Sequence, residues 1–227
     1  MSQAFPVVFI PALLCDERLY ADVITALGDR IDAKVMMSPK PHIEESAADI
    51  LARAPEKFVL AGSSYGGVLA MHIALVAPER VTALWLLGCD PGAPRPGGPN
   101  LAAGLEAAPD KVIELLSTLV VHRTAIGPAQ SFKSMAQAVG GTAGATQARA
   151  AAARTDITPR LGELSMPVLA LWGQEDALVA ASVGRGLAQA LPDGRFYELP
   201  GCGHLPTLEK PVESAAHFEA FLESLVA

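Results

Sequence analysis

The sequence predicts an α/β fold in which a mostly parallel sheet is covered by helices on both faces. Short β-branched or apolar runs alternate with amphipathic stretches of helical length along most of the chain, and this alternation is typical of successive βαβ units. Such runs suit strands that are buried on both sides of a parallel sheet. The length of 227 residues leaves room for one domain with a sizeable core, but not for a second full domain.

The alternating pattern predicts six strands and five helices in the core of the fold. Each helix ends close to a glycine or proline stop signal or to the chain terminus, as Pro78 does for the helix after the third strand. The predicted strands cover residues 6–10, 33–37, 57–62, 81–87, 168–172 and 195–199, and the predicted helices lie near residues 18–27, 42–53, 65–77, 180–190 and 212–225.

The segment from Pro91 to about Asp156 departs from this alternation. It opens with a run rich in proline and glycine and continues with helical patterns that contain no convincing strand. We interpret residues 91–156 as a helical lid inserted into an α/β core of residues 1–90 and 157–227. The lid helices are expected near residues 101–107, 110–122, 129–139 and 142–155, with Gly140 and Gly141 separating the last two.

Composition argues against several classes of partner. The formal net charge is -7, and no cluster of lysine and arginine forms a local basic patch, so we do not expect nucleic acid as a partner. The apolar runs are much shorter than the roughly 20 residues of a membrane-spanning helix, so we expect no membrane partner. The oligomeric state is left open.

The N-terminus and the cysteines bear on the cellular compartment. The first six residues lack the basic and apolar regions of a secretory signal, so we expect a cytoplasmic protein. Cys15, Cys89 and Cys202 are an odd number at unrelated spacings, which argues against a disulfide framework and a zinc cluster. No histidine has a carboxylate at metal-ligand spacing and no nucleotide-binding glycine motif is present, so we expect neither a metal nor another cofactor.

The strongest chemical signal is the segment GSSYGG at residues 62–67, which lies between a predicted strand and a predicted helix. It matches the pattern G-x-S-x-G in the strand-turn-helix context that exposes a nucleophilic serine. Gly62 and Gly66 have a steric reason, because side chains there would collide with neighbouring backbone at so tight a corner. The alternative is a glycine-rich turn without chemistry. The context favours Ser64 as a nucleophile, with Ser63 as its rival.

A serine nucleophile needs a base, and the base needs an acid that fixes its tautomer and stabilises its charged form. Asp176 follows the fifth predicted strand and His204 follows the sixth. Both loops are expected at the edge of the sheet where Ser64 lies, because ligands bind at the carboxyl ends of parallel strands. Glu175 and Asp90 remain rival acids. Asp176 could instead cap the next helix, and His204 could be an ordinary loop residue.

Three motifs give the chain a resemblance to the α/β hydrolase family, in particular to its small lidded carboxylesterases. They are Gly-x-Ser-x-Gly-Gly from Gly62, Gly-x-x-Asp-x-x-Val from Gly173, and Pro-Gly-x-Gly-His-x-Pro-x-x-Glu-x-Pro from Pro200. The order serine, acid, histidine is that of the family, and the resemblance covers nearly the whole chain. It implies the triad Ser64, Asp176 and His204. The chain departs from the family in lacking the two antiparallel strands that usually precede the first strand, so we expect a minimal sheet of about six strands, all parallel.

The same resemblance implies an oxyanion hole made by the backbone N–H groups of Tyr65 and Leu13. Tyr65 follows the nucleophile, and Leu13 lies in the loop after the first strand. The family commonly has His-Gly at the start of that loop, whereas this chain has Pro11 and Ala12. Backbone donors require no particular side chain, but the missing glycine narrows the conformational freedom of the loop.

The implied reaction is the hydrolysis of small to medium apolar carboxylic esters or thioesters through an acyl-enzyme on Ser64, without a cofactor. We expect Leu14, Leu116 and Leu119 to contact the substrate, although apolar lid residues of this kind often only pack the lid together. The same triad also serves C-C bond hydrolases, perhydrolases or haloperoxidases, lactonases and hydroxynitrile lyases, and a slow-turnover ligand-binding receptor or a non-catalytic interaction protein are further alternatives.

Overall fold

A computed structural model describes residues 4–94 and 97–226 of the chain. Within these residues, six strands form one sheet in the order β2-β1-β3-β4-β5-β6, and every neighbouring pair is parallel. The predicted α/β fold with about six parallel strands is therefore confirmed, and the predicted strand boundaries differ by at most two residues. The strands are β1 Phe5–Ile10, β2 Ile31–Val35, β3 Phe58–Ser63, β4 Val81–Leu87, β5 Val168–Gly173 and β6 Gly194–Leu199.

The helices follow the predicted order, with two differences. The stretch predicted as one helix near residues 18–27 begins with a short 3-10 turn, Glu17–Leu19, before the first α-helix. A four-residue helix after His204 was not predicted, because so short an element shows no hydrophobic period. The helices are α1 Ala21–Leu27, α2 Ile43–Arg53, α3 Tyr65–Val76, α4 Leu101–Ala107, α5 Pro109–Leu119, α6 Ile126–Ala152, α7 Ala181–Ala190, α8 Pro206–Glu209 and α9 Pro211–Ser224.

Helices cover both faces of the sheet, and successive residues of a strand point to opposite faces. In β1, Val7 and Phe9 belong to the apolar cluster that includes α1 and α9. Val8 and Ile10 belong to the cluster that includes α2, α3 and α7. All four side chains are almost completely buried, which accounts for the apolar strand sequences because each buried side chain of this size stabilises the fold by about 1.5–3 kcal/mol.

The segment between β4 and β5 contains α4, α5 and α6 and ends with a short 3-10 helix, Thr158–Glu163. Helix α6 is interrupted at Gly140, whose φ of 80° and ψ of 161° are not helical. Glycine adopts such a positive φ without a steric penalty, so this residue divides α6 into two halves. Arg95 and Pro96, in the proline-rich opening of the segment, lie outside the described residues. No helix in the described ranges combines the length and the apolar character that crossing a membrane would need.

Candidate active site

Ser64 lies at a sharp corner between β3 and α3. Its backbone has φ 52° and ψ −116°, a conformation that residues with a side chain rarely adopt. The N–H of Ser64 donates to the carbonyl oxygen of Leu87 in β4 at 2.7 Å, and its own carbonyl oxygen accepts from Gly67 at 2.9 Å and Val68 at 3.1 Å. The neighbouring strand and the first turn of α3 therefore hold this strained conformation in place.

The two glycines around Ser64 lie where a side chain has no space. A Cβ atom at Gly62 would overlap the carbonyl oxygen of Gly66, and one at Gly66 would overlap the carbonyl oxygen of Ile10 in β1. Both obstacles are backbone atoms, which cannot swing aside as the end of a side chain can. The tight packing of β1, β3 and α3 thus supplies the steric reason that the sequence motif suggested.

The side chains of Asp176, His204 and Ser64 form one chain of hydrogen bonds. Nε2 of His204 lies 2.8 Å from Oγ of Ser64, and Nδ1 lies 2.7 Å from Oδ2 of Asp176. His204 is 2% exposed and Asp176 is 8% exposed. A carboxylate only accepts hydrogen bonds, so Nδ1 carries the proton and Nε2 is left with a lone pair toward the serine hydroxyl.

Backbone groups fix the carboxylate of Asp176 from the other side. Its Oδ1 accepts hydrogen bonds from the N–H groups of Leu178 and Val179, both at 2.9 Å. Both bonds lie within the loop before α7, and the N-cap of that helix is Ala180, which receives no side-chain cap, so Asp176 does not cap the helix. The second oxygen remains directed at the histidine.

The rival residues make other contacts. Oε2 of Glu175 accepts the N–H of Cys202 at 3.0 Å, and Oδ1 of Asp90 accepts the N–H of Gly92 at 2.9 Å. The side chain of Ser63 is fully buried, and its Oγ has no hydrogen-bond partner among the described residues. The structure thus brings Ser64 and Asp176 into hydrogen-bond contact with His204, whereas Ser63, Glu175 and Asp90 make no hydrogen bond to its ring among the described residues.

A carboxylate that the sequence motif contained without an assigned role supports the loop of His204. Glu209 accepts the N–H of Gly203 at 3.0 Å and the N–H of Leu205 at 3.2 Å, so it holds the residues on both sides of the histidine. It also accepts the N–H of His122, after α5, at 2.7 Å. Burial raises the pKa of Glu209, although the three N–H donors act in the opposite direction. The sequence signal that could have revealed this role is the position of Glu209 five residues after His204, in the third motif.

The two expected oxyanion donors lie at the same cavity as Ser64. Leu13 and Tyr65 both line it, and within the described ranges neither backbone N–H donates a hydrogen bond to a protein acceptor. Tyr65 is the first residue of α3, where an N–H has no partner within the helix. Backbone N–H groups without a protein acceptor, at the cavity of a nucleophile, are the groups that an oxyanion hole requires.

The cavity above Ser64 has a volume of about 190 Å³ and is mainly apolar. Of the three residues expected to contact the substrate, Leu116 lines it and Leu14 and Leu119 do not. Leu14 is fully buried. Leu116 in α5 and Val120, the residue just after that helix, both line the cavity, because residues four apart lie on one side of a helix. The lining residues that come from the segment between β4 and β5 are Leu101, Leu116, Val120, Phe132, Ala151 and Arg154.

The cavity lining also contains two charged residues, Asp90 and Arg154, and the sequence did not indicate that Arg154 would lie there. Nε of Arg154 donates to the carbonyl oxygen of Gly92 at 3.0 Å and Nη1 donates to that of Ala151 at 2.8 Å, and burial lowers the pKa of the guanidinium. No group of three histidine, cysteine, aspartate or glutamate residues able to hold a metal ion occurs in the described part of the chain.

Comparisons with known proteins agree with this architecture. Residues 12–217 match the family model described as the α/β hydrolase family. A pimeloyl-[acyl-carrier protein] methyl ester esterase of Vibrio parahaemolyticus is 30% identical over 195 residues, which cover 80% of this chain and 76% of that protein. A 2-hydroxy-6-oxo-6-phenylhexa-2,4-dienoate hydrolase of Comamonas testosteroni is 29% identical over 174 residues, 70% of this chain and 60% of that protein.

Solved structures show the same fold. A thermophilic esterase from Thermogutta terrifontis superposes with a TM-score of 0.88 at 21% identity, covering 99% of this chain and 92% of that one. The match of the family model extends from the loop after β1 into α9, so it includes every element that carries Ser64, Asp176 and His204. The chain belongs to the α/β hydrolase family.

Proposed function

We propose that this chain is a serine esterase that hydrolyses carboxylic esters or thioesters of short to medium apolar acyl groups through an acyl-enzyme on Ser64. The observation that carries the proposal is the buried chain of hydrogen bonds from Asp176 through His204 to Ser64, which ends at the cavity. A hydroxyl becomes a useful nucleophile when a base is in hydrogen-bond contact with it and an acid orients that base.

The proposed reaction uses each of these groups in turn. Oγ of Ser64 attacks the acyl carbon while Nε2 of His204 takes its proton, and Asp176 stabilises the imidazolium that forms. The proton then passes to the leaving alcohol or thiol as the tetrahedral intermediate collapses to the acyl-enzyme. Water, deprotonated by the same histidine, releases the carboxylic acid and restores Ser64.

The backbone donors at Leu13 and Tyr65 supply the electrostatic part of the proposal. Both line the cavity beside Ser64 without a protein acceptor in the described residues. Hydrogen bonds of this kind strengthen as negative charge develops on the acyl oxygen, so they lower the barrier rather than only improving binding.

The small volume of the cavity supports a substrate with a small acyl group. Its volume of about 190 Å³ lies below the roughly 300 Å³ at which pockets for drug-sized ligands begin. Apolar side chains from the core and from the segment between β4 and β5 together form most of its wall, which suits an acyl chain without charge. The relatives named as methyl ester esterases support ester cleavage as the reaction type.

A second candidate is hydrolysis of a carbon-carbon bond, and the relative from Comamonas testosteroni favours it by its name. The charged residues Arg154 and Asp90 in the cavity lining give this candidate structural support because a substrate with polar groups on both sides of the cleaved bond would need polar partners there. The two candidates differ in the bond that is cleaved, so a panel containing both substrate classes separates them.

The test compares wild type, Ser64→Ala and the matched control Ser63→Ala. One portion of each protein is labelled with a fluorophosphonate, and a separate, unlabelled portion is assayed with p-nitrophenyl esters from acetate to laurate. We expect wild type and Ser63→Ala to label and to cleave the shorter esters, and Ser64→Ala to lose at least about 10⁴-fold in kcat. A wild type that neither labels nor cleaves any ester would overturn the proposal.

A further inference from the structure

The loop after β1 makes a tight turn at residues 12–15, and the third residue of that turn is held in an unusual conformation. The N–H of Cys15 donates to the carbonyl oxygen of Ala12 at 3.0 Å and closes the turn. Leu14 has a φ of 62°, a value that this turn position normally reserves for glycine or asparagine. A leucine with this φ is strained, so other contacts must hold it there.

One such contact comes from the second half of α6. The N–H of Leu14 donates to Oε1 of Gln147 at 2.9 Å, across 133 positions of the chain. Gln147 is 7% exposed and Leu14 is fully buried, so no water competes freely for this bond. Because Leu14 offers a donor, the carbonyl oxygen of the amide must face it, and the orientation of the Gln147 side chain follows from chemistry alone.

Helix α6 also leaves space for the side chain of Leu14. A Cβ atom at Gly144 would overlap the end of that side chain, and Gly144 lies three residues before Gln147, on the same side of the helix. The lid therefore touches the turn at two adjacent places. One is steric, at Gly144, and the other is the hydrogen bond of Gln147.

One backbone N–H group of the turn, that of Leu13, has no acceptor among the described residues. Of three successive N–H groups, that of Cys15 bonds within the turn and that of Leu14 bonds to Gln147. The N–H of Leu13 has no acceptor in the part of the chain that the structure describes, and Leu13 lines the cavity at Ser64. The contacts that fix its two neighbours thus also fix the direction of the proposed oxyanion donor.

We infer that Gln147 is a positioning residue, which holds the strained turn so that the N–H of Leu13 remains directed at the acyl oxygen. This inference rests on the proposed esterase function. Without Oε1, the N–H of Leu14 would be buried and unsatisfied, and the turn would rearrange to relieve it. Active-site groups must stay within about 0.5 Å of their working geometry, so even a small rearrangement would weaken the oxyanion hole.

The test replaces Gln147 with methionine, which has a similar length but lacks a strong acceptor. Ser134→Ala is the control, because Ser134 lies in the first half of α6 and links that helix to Arg18 by exposed hydrogen bonds. Active sites are counted by complete fluorophosphonate labelling, so misfolded protein does not enter kcat. Gly144→Ala disturbs Leu14 without removing the acceptor and serves as a second variant, with Gly127→Ala as its control because a Cβ at Gly127 meets nothing.

We expect Gln147→Met to lower kcat at least about tenfold with KM changed less than about threefold, because the affected donor acts in the transition state. The inhibition constant of a trifluoromethyl ketone, which forms an oxyanion adduct on the serine, should rise by the factor by which kcat/KM falls. Gly144→Ala should likewise lower kcat and raise this inhibition constant. Ser134→Ala and Gly127→Ala should match wild type.

Two results overturn the inference alone, in a wild type that labels and cleaves esters. The first is a Gln147→Met variant with the kcat of wild type per labelled site. The second is a raised KM with unchanged kcat, which would make Gln147 a residue that only shapes substrate binding. A wild type that neither labels nor cleaves esters overturns the proposed function, and the inference falls with it.

Discussion

Asp176 and His204 are joined by a 2.7 Å hydrogen bond, while the carboxylate of Glu175, one residue earlier, turns away to the N–H of Cys202. Adjacent residues of a loop point in different directions, so one position decides which acid reaches the histidine. Both carboxylates are satisfied by hydrogen bonds, but only that of Asp176 is in contact with the imidazole among the described residues.

This difference predicts that two neighbouring substitutions will have unequal effects on kcat. Asp176→Asn should lower kcat on the order of 10⁴-fold, because an amide that donates to Nδ1 would leave Nε2 with the wrong protonation for a base. Glu175→Gln should leave kcat close to that of wild type, because its amide oxygen can still accept the N–H of Cys202. Steady-state kinetics with one p-nitrophenyl ester decide the matter, and a larger loss at Glu175 would contradict the assignment.

Glu209 predicts a pH dependence of stability. Burial raises its pKa in the folded chain above the ordinary value of 4.5, so the folded state binds this proton more tightly than the unfolded state. Its contribution to the free energy of unfolding is therefore fully present below the ordinary pKa and is lost as the pH rises through the folded pKa. Glu209→Gln should remove this contribution.

The measurement is urea unfolding of wild type and Glu209→Gln from about pH 4 to about pH 8. The free energy of unfolding of wild type minus that of the variant should decrease as the pH rises. An increase over this range would mean that the three N–H donors outweigh burial and that the pKa is lowered instead.

The steric reason for Gly66 predicts a large loss of stability. Gly66→Ala would force a Cβ atom into the carbonyl oxygen of Ile10. Neither the backbone of β1 nor the sharp corner between β3 and α3 can move aside. We expect the free energy of unfolding to fall by about 3 kcal/mol or more. Gly186→Ala is the matched control in α7, where a Cβ meets nothing, and it should stabilise by about 0.5–1 kcal/mol. Chemical denaturation measures both, and equal effects would count against the packing argument.

The position of Leu116 in the wall of the cavity predicts that enlarging this side chain will change the acyl-chain preference. Leu116 lines the cavity, so Leu116→Phe should narrow it and lower kcat/KM for the longest acyl chain that wild type accepts by about 10–200-fold, with acetate little affected. The neighbouring Leu115 is 60% exposed, so Leu115→Phe is the control. Kinetics with p-nitrophenyl esters of increasing length test this, and a uniform effect on all chain lengths would contradict the role of Leu116 as a wall.

Much of the fold was predictable because it depends on local pattern. Strand-length apolar runs and the proline or glycine signals between them indicated all six strands of the described sheet within two residues. The break in α6 could be expected from two consecutive glycines, and its φ of 80° at Gly140 is a conformation that glycine tolerates. The family followed from three motifs in the expected order and is confirmed by the match over residues 12–217.

The walls of the cavity were predicted less well. Leu14 was expected to contact substrate because it follows the proposed oxyanion donor in the sequence, but the turn rotates it into the core against Gly144. The presence of Arg154 in the cavity lining was not expected at all. Periodicity identifies which side of a helix is apolar, but it does not say which neighbouring element that side will meet.

The sequence by itself determined the α/β fold, the strand-turn-helix corner at Ser64 and the candidates for base and acid, because each of these depends on residues close together in the chain. Only the tertiary structure decided between Asp176 and Glu175, and only it brought Gln147 to Leu14. These are contacts between side chains and backbone far apart in sequence. Their geometry is set by the packing of whole helices on the sheet, which no short motif encodes.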